Sequence, residues 1–237
     1  MIPVKACLFD VFGTVVDWRS SVSREASFFF KAKNIAGVDA VEFAAEWRKL
    51  YQPAMEEVRS GRRAWTILDE LHRESLLKLV GRYGIKDLPE KEIDDLNRAW
   101  HRLDPWPDVI EGLTRLKKKL IIAPCSNGNI ALMVNMAKRA GLPWDCILGA
   151  ETARAYKPMP DAYLVSCRQI DLPPSQVMMV AAHNGDLKAA KAQGLATAFV
   201  PRPAEHGPGQ ATDLAADQAC VDIAAADFVD LAARLGC

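Results

Sequence analysis

The 237-residue chain has no net charge: thirty lysines and arginines are cancelled by thirty aspartates and glutamates. With no global field it cannot concentrate nucleic acid or an anionic membrane surface around itself, so the expected partner is small. No apolar run approaches the roughly 20 residues that a membrane-spanning helix requires. No charged and apolar leader precedes the first strand-like run, and the expectation is a cytoplasmic protein with no membrane partner. The six cysteines (Cys7, Cys125, Cys146, Cys167, Cys220, Cys237) contain no C-x-x-C pair, and the four histidines do not complete a cluster at zinc spacing. No metal and no cofactor are therefore expected. Cys7 and Cys125 fall in strand-like runs and read as small core residues. Internal repeats and low-complexity tracts are also missing.

What is present is ordinary globular composition, 50% hydrophobic and 25% charged, in a chain long enough for one large core and an accessory module. Residues 4–9 form a short apolar run of the kind a buried parallel strand shows. From residue 19 to about 101 no comparable strand follows. The pattern predicts helices over 20–33, 41–58, 64–83 and 90–101, punctuated by Gly37, Gly61, Gly84 and Pro89. After Asp104-Pro105-Trp106-Pro107-Asp108, strands over 120–124, 146–149, 177–182 and 197–200 alternate with helices over 109–118, 130–140, 160–170 and 186–193. Residues 201–212 read as loop, and a strand-helix pair over 220–235 closes the chain. Such alternation specifies an α/β fold with a doubly wound parallel sheet, a Rossmann-like core. The expected core is 1–16 with 105–237, and 17–104 is an inserted helical cap placed to act as a lid.

The chemistry starts where the first strand ends, at Asp10 in Phe9-Asp10-Val11-Phe12-Gly13-Thr14. A carboxylate at the carboxyl end of a parallel strand stands where open α/β sheets place their reactive groups, which makes Asp10 the candidate nucleophile. Phosphotransferases built on such a loop carry Asp-x-Asp, whose second carboxylate shuttles a proton beside magnesium. Here that place holds Phe12, which can neither shuttle a proton nor balance the ion. The substitution favours attack on carbon. Other strand ends deliver Ser126-Asn127, Lys157 and Asp186 toward the same crevice.

This order of motifs, with its insert, resembles the haloacid dehalogenase superfamily. Phe12, Trp47-Arg48, Pro105-Trp106-Pro107-Asp108, Ser126-Asn127-Gly128-Asn129 and Lys157-Pro158-Met159-Pro160 with Tyr163 are similar to the type II L-2-haloacid dehalogenases. The resemblance implies that Asp10 displaces halide from the carbon beside the substrate carboxylate, forming an ester that water then hydrolyses. Lys157 would keep Asp10 ionised. Thr14, Ser126 and the turn amides of Val11 and Phe12 would bind the substrate carboxylate or ester oxygen, although a lone Ser or Thr also reads as a cap. Arg48 and Asn127 would receive the halide. Phe12 and Trp47 would wall an apolar pocket, and Tyr163 matches a family tyrosine with a core tyrosine as the bland alternative. The last motif departs from the family's Ser-x-Asn-x-x-Asp: it reads Ala181-Ala182-His183-Asn184-Gly185-Asp186. Asp186 would orient or deprotonate water with Asn184 as helper. His183 reads either as a base or as a histidine bonded to a neighbouring strand.

The implied activity is hydrolysis of short L-2-haloacids to D-2-hydroxy acids, with fluoroacetate among the candidate substrates and water as co-substrate. The resemblance also implies a homodimer. Two alternatives remain at this level: a magnesium-dependent phosphatase of the same superfamily, and a relative that binds without turnover.

Overall fold

Strand β1 (Ala6–Phe9) is buried along its whole length, and its alternate residues feed two different clusters. Cys7 and Phe9 pack with Ile122 and Phe228 on one face, while Ala6 and Leu8 pack with Ala123 and Tyr163 on the other. A strand buried on both faces belongs in the middle of a parallel sheet. The computed structural model describes residues 4–237. The first three residues of the expected core segment lie outside the described residues.

The helical block begins at β2 (Val16–Asp17) and contains α1 (Trp18–Ala32), α2 (Ala40–Lys49), α3 (Tyr51–Arg59), α4 (Leu68–Arg82) and α5 (Glu90–Asn97). A 3-10 turn (Arg98–His101) and β3 (Asp104–Pro105) follow. The remaining elements are α6 (Val109–Leu116), β4 (Ile121–Ser126), α7 (Ile130–Ala140), β5 (Leu148–Gly149), α8 (Ala150–Ala153) and α9 (Pro160–Gln169). They continue through β6 (Val177–Ala181), α10 (Asn184–Ala192), β7 (Ala196–Phe199), β8 (Ile223–Ala224) and α11 (Phe228–Arg234). The six-stranded sheet has the order β5-β4-β1-β6-β7-β8, and every pairing in it is parallel. The chain leaves β1 toward β4 and β5 on one side and β6, β7 and β8 on the other. The switch point where a crevice opens thus lies at the carboxyl end of β1, directly after Phe9.

One expected helix is two. The stretch 41–58 divides into α2 and α3 at Leu50 because Pro53 has no N–H to give the Lys49 carbonyl, and its ring crowds that carbonyl. Asp39 caps α2, accepting from the Val41 and Glu42 amides at 2.8 Å. A feature the sequence pattern did not suggest is the antiparallel pair β2/β3, which sets Val16 opposite Pro105 and Asp17 opposite Asp104. The chain thus enters and leaves the helical block side by side. Among the described residues no helix is long and apolar enough to cross a membrane.

Candidate active site

Between the carboxyl end of the sheet and the helical block lies a pocket of about 560 Å³. Asp10, Phe12, Asn127, Lys157, Tyr163, His183 and Asp186 line its sheet side, and Arg48 and Tyr51 line its helical side. The carboxylate of Asp10 stands at the base, buried and held by three donors. The Lys157 ammonium reaches Oδ1 at 2.8 Å, and Oδ2 accepts from the Thr14 hydroxyl at 2.7 Å and from His183 Nδ1 at 3.0 Å. Burial alone would raise its pKa; the Lys157 charge, the His183 hydrogen bond and the His183 charge outweigh burial and hold it well below the usual carboxylate range. Asp10 is a desolvated anion. Thr14 is fixed in turn by the Ala182 amide at 2.9 Å.

Lys157 bridges two carboxylates, lying 2.8 Å from Asp10 and 2.5 Å from Asp186. Burial opposes its charge, but the two carboxylates raise its pKa, and it stays an ammonium. The other Asp186 oxygen accepts from the Tyr163 hydroxyl at 2.5 Å. Tyr163 is therefore both core and site: its ring is fully buried and its oxygen reaches the acidic cluster.

On the opposite wall, the Arg48 guanidinium lies 4.0 Å from the Tyr51 ring centroid, 5.4 Å from Trp18 and 5.8 Å from Phe12. Its Nη1 is buried and has no hydrogen-bond partner among the described residues. A desolvated cation with a free donor, walled by aromatic faces, is a receptor for an anion. Asn127 completes the rim: its Nδ2 donates to the Tyr51 hydroxyl at 3.1 Å and its Oδ1 accepts from the Lys157 amide at 2.8 Å. Among the described residues the Val11 and Phe12 amides donate to no protein acceptor, which leaves two N–H groups at the turn beside Asp10.

Three expected site residues are placed elsewhere. Trp47 does not wall the pocket: it is fully buried in the helical block, donating to the His72 carbonyl at 3.1 Å and packing on Phe43 and Trp100. The residue just before a helical residue turned toward the pocket points about 100° away from it, here into the core. Asn184 does not reach Asp10 either. Its amide group binds Asp213 and the Ala215 carbonyl, and its oxygen accepts from the Asp217 amide, so it anchors the loop after β7. Ser126 is fully buried and its hydroxyl closes a turn by accepting from the Gly128 amide at 3.0 Å, the capping alternative.

Glu205 carries no expected role from the sequence, and Tyr51 is only one of several aromatics that could wall a pocket. Glu205, on the Pro/Gly-rich loop, is buried and its Oε2 meets His183 Nε2 at 2.8 Å, while Oε1 accepts from Trp18 Nε1 at 3.0 Å. It approaches so closely that a Cβ on Gly13 would lie 2.0 Å from its Oε1, and Gly13 has φ +88°, so that position requires glycine on two counts. Tyr51 supplies the ring under Arg48 and the hydroxyl that orients Asn127. Its only sequence signal is the i,i+3 spacing from Arg48. Burial would lower the pKa of His183, but hydrogen bonds to Asp10 and Glu205 raise it to about 10, so both ring nitrogens donate at neutral pH.

A haloacid dehalogenase-like hydrolase family model matches residues 4–194. The (S)-2-haloacid dehalogenase 1 of Pseudomonas sp. (strain CBS-3) is 30% identical over 209 residues, covering 85% of this chain and 86% of its own. The (S)-2-haloacid dehalogenase 4A of Burkholderia cepacia is 29% identical over 202 residues and 84% of each chain. Among solved structures, a defluorinating L-2-haloacid dehalogenase superimposes with a TM-score of 0.96 at 50% identity, covering 99% of this chain and 96% of its own. Another L-2-haloacid dehalogenase gives 0.93 at 49% identity, covering 98% and 99%.

Proposed function

Since the chain belongs to the haloacid dehalogenase-like hydrolases, we propose that it hydrolyses the carbon–halogen bond of short 2-haloacids, with L-2-haloacids giving D-2-hydroxy acids. Asp10 attacks the halogen-bearing carbon from behind. The new bond joins an Asp10 oxygen to that carbon, the carbon–halogen bond breaks, and the halide leaves with its electron pair toward Arg48. Inversion follows from the in-line geometry. The amides of Val11 and Phe12 hold the substrate carboxylate, and Phe12, Tyr51 and Trp18 keep the reacting end dry. Water then adds to the Asp10 carbonyl carbon, giving its proton to Asp186, and the hydroxy acid departs carrying the former Asp10 oxygen.

The observation that carries this reading is the pairing of a buried, ionised Asp10 with an unpartnered, aromatic-walled Arg48 donor across one pocket. One end suits a nucleophile and the other a departing anion. Lys157 already bridges the two carboxylates that a phosphatase would turn toward a cation, and Phe12 stands where the second carboxylate of Asp-x-Asp would be. Fluoroacetate belongs in the substrate panel because a structural neighbour at 50% identity is described as defluorinating.

The test is halide release from fluoro-, chloro- and bromoacetate and both 2-chloropropionate enantiomers, with and without chelator. Release from the L enantiomer unaffected by EDTA is expected; phosphatase activity that EDTA abolishes would overturn the reading. A single turnover in heavy-oxygen water should place the isotope in the Asp10 side chain and leave the product unlabelled.

A further inference from the structure

The two oxygens of Asp10 are not equivalent. Oδ2 accepts from both Thr14 and His183, which occupies both of its lone-pair directions, while Oδ1 accepts from Lys157 alone. The freer oxygen, Oδ1, is therefore the one that attacks carbon, and Oδ2 becomes the carbonyl oxygen of the ester. Two donors then already converge on the atom where negative charge develops when water adds.

We infer that His183, clamped by Glu205, and Thr14 form the oxyanion hole for hydrolysis of the Asp10 ester, with Glu205 as the positioning residue. The inference rests on the ester route proposed above. Water oxygen bonds to Cγ and its proton passes to Asp186. The carbonyl electron pair moves onto Oδ2, where the His183 Nδ1–H and the Thr14 hydroxyl receive it. Collapse breaks the Cγ–Oδ1 bond. The departing alkoxide takes a proton from Lys157, which recovers one from Asp186 across their 2.5 Å contact, and the last proton leaves the new Asp10 carboxyl for solvent.

Glu205 has two functions in this arrangement. Its contact with Nε2 fixes the ring so that Nδ1 faces Oδ2, and its charge keeps the imidazole protonated once alkylation has removed the charge of Asp10. The charged and titratable groups facing His183 are Asp10 from the β1 end, Glu205 and His206 from the loop, Asp186 from α10, and Lys157 and Arg48 across the pocket, with Asp213 beyond Asn184. Among these, Glu205 alone stays in direct contact with the imidazole as an anion in the ester. The arrangement also accounts for the altered last motif: a cationic donor stands at His183 where the family pattern has an asparagine, and no hydroxyl is needed at Ala181.

The test separates the two half-reactions by rapid-quench measurement of halide and hydroxy acid. In His183→Gln, halide is expected as a burst approaching one equivalent per active site, with later turnover slowed roughly 100-fold and the ester accumulating on the peptide that holds Asp10. In Glu205→Gln, ester hydrolysis should lose rate as pH rises through a limb displaced downward by about 1–3 pH units, because the imidazole no longer has its anionic partner. The intact enzyme, which is independent of any folding defect in the variants, should hydrolyse its ester with no rise in rate from pH 6 through neutrality, and its high-pH limb should lie below the value of about 10 that His183 has in the free enzyme, because the Asp10 contribution is lost in the ester. A rate that instead climbs through neutrality in the intact enzyme would make His183 a base and overturn the inference, as would variants that lose halide and alcohol release in parallel without ester. Absence of any Asp10 ester in the intact enzyme would instead strike the ester route itself.

Discussion

The two walls of the pocket obey opposite rules. On the sheet side, Asp10, Lys157, Asp186, Tyr163, His183 and Glu205 form one chain of hydrogen bonds with every charged group matched. On the helical side, the buried polar atoms that lack partners among the described residues are Arg48 Nη1, both nitrogens of His72, Asn97 Oδ1 and Trp100 Nε1, and all lie between residues 48 and 100. Burial leaves His72 neutral at ordinary pH, its pKa pushed down to about 3. A satisfied network holds its geometry before substrate arrives, which suits a nucleophile and its proton carriers. An unsatisfied cation gains most when an anion reaches it, which suits a site that fills only as the halide departs. On the proposed ester route, the contrast would put the chemistry on the sheet and the departure on the helices.

Substitutions can break that contrast in order of severity. Asp10→Asn removes the nucleophile, and halide release is expected to fall roughly 10⁴-fold or more in a steady-state assay. Lys157→Met leaves Asp186 with no cationic partner and Asp10 with His183 alone, and thermal or denaturant unfolding should show a loss of about 3–5 kcal/mol along with activity. Arg48→Met should slow halide release by roughly 10²–10³ while stability changes little, because a buried unpartnered donor is removed with the charge. If Arg48→Met unfolds the protein as Lys157→Met does, the two walls do not differ in kind. Trp47→Phe should cost about 0.5–1.5 kcal/mol in unfolding free energy through loss of the hydrogen bond to the His72 carbonyl, with KM unchanged. The smallest effect is on pH dependence. Asp10 must be ionised to attack and its pKa is depressed, so the halide-release step should hold its rate as pH falls past about 4, the usual carboxylate range, and decline only below it. Single turnovers after a brief pH jump measure this.

The sheet was legible because a strand buried on both faces is mostly apolar, as β1, β4, β6 and β7 are apart from Ser126 and Thr197. The short pair β2/β3 was not, since two residues carry no periodicity, whereas the closing strand-helix pair expected over 220–235 is present as β8 and α11. The split at Leu50 was readable in principle from Pro53, but a helical period that continues on both sides conceals it. In the site, Asp10, Thr14, Lys157 and Asp186 converge as their places at strand ends suggest, and Tyr163 of α9 joins them as the resemblance implies. Trp47 and Asn184 depart because adjacency in sequence says nothing about direction: one residue turns into the helical core, and the other turns to a distant loop. Glu205 left no trace, because a loop acid that is solvated and one buried against a histidine are written alike. Only the fold, by bringing the 201–212 loop over Gly13, distinguishes them.

The ribbon formed by Val16–Asp17 and Asp104–Pro105 sets both crossings of the chain one pleat apart. Joining points that close impose almost no constraint on the length or make-up of what is spliced between them, since the ends are already met. The helical block is in this respect a cassette: recombination at Asp17 and Asp104 that retains Trp18, the donor to Glu205, can exchange the departure wall while Asp10, Lys157 and His183 keep their register. Chimaeras with shared junctions here would reveal how leaving-group preference travels independently of the nucleophile.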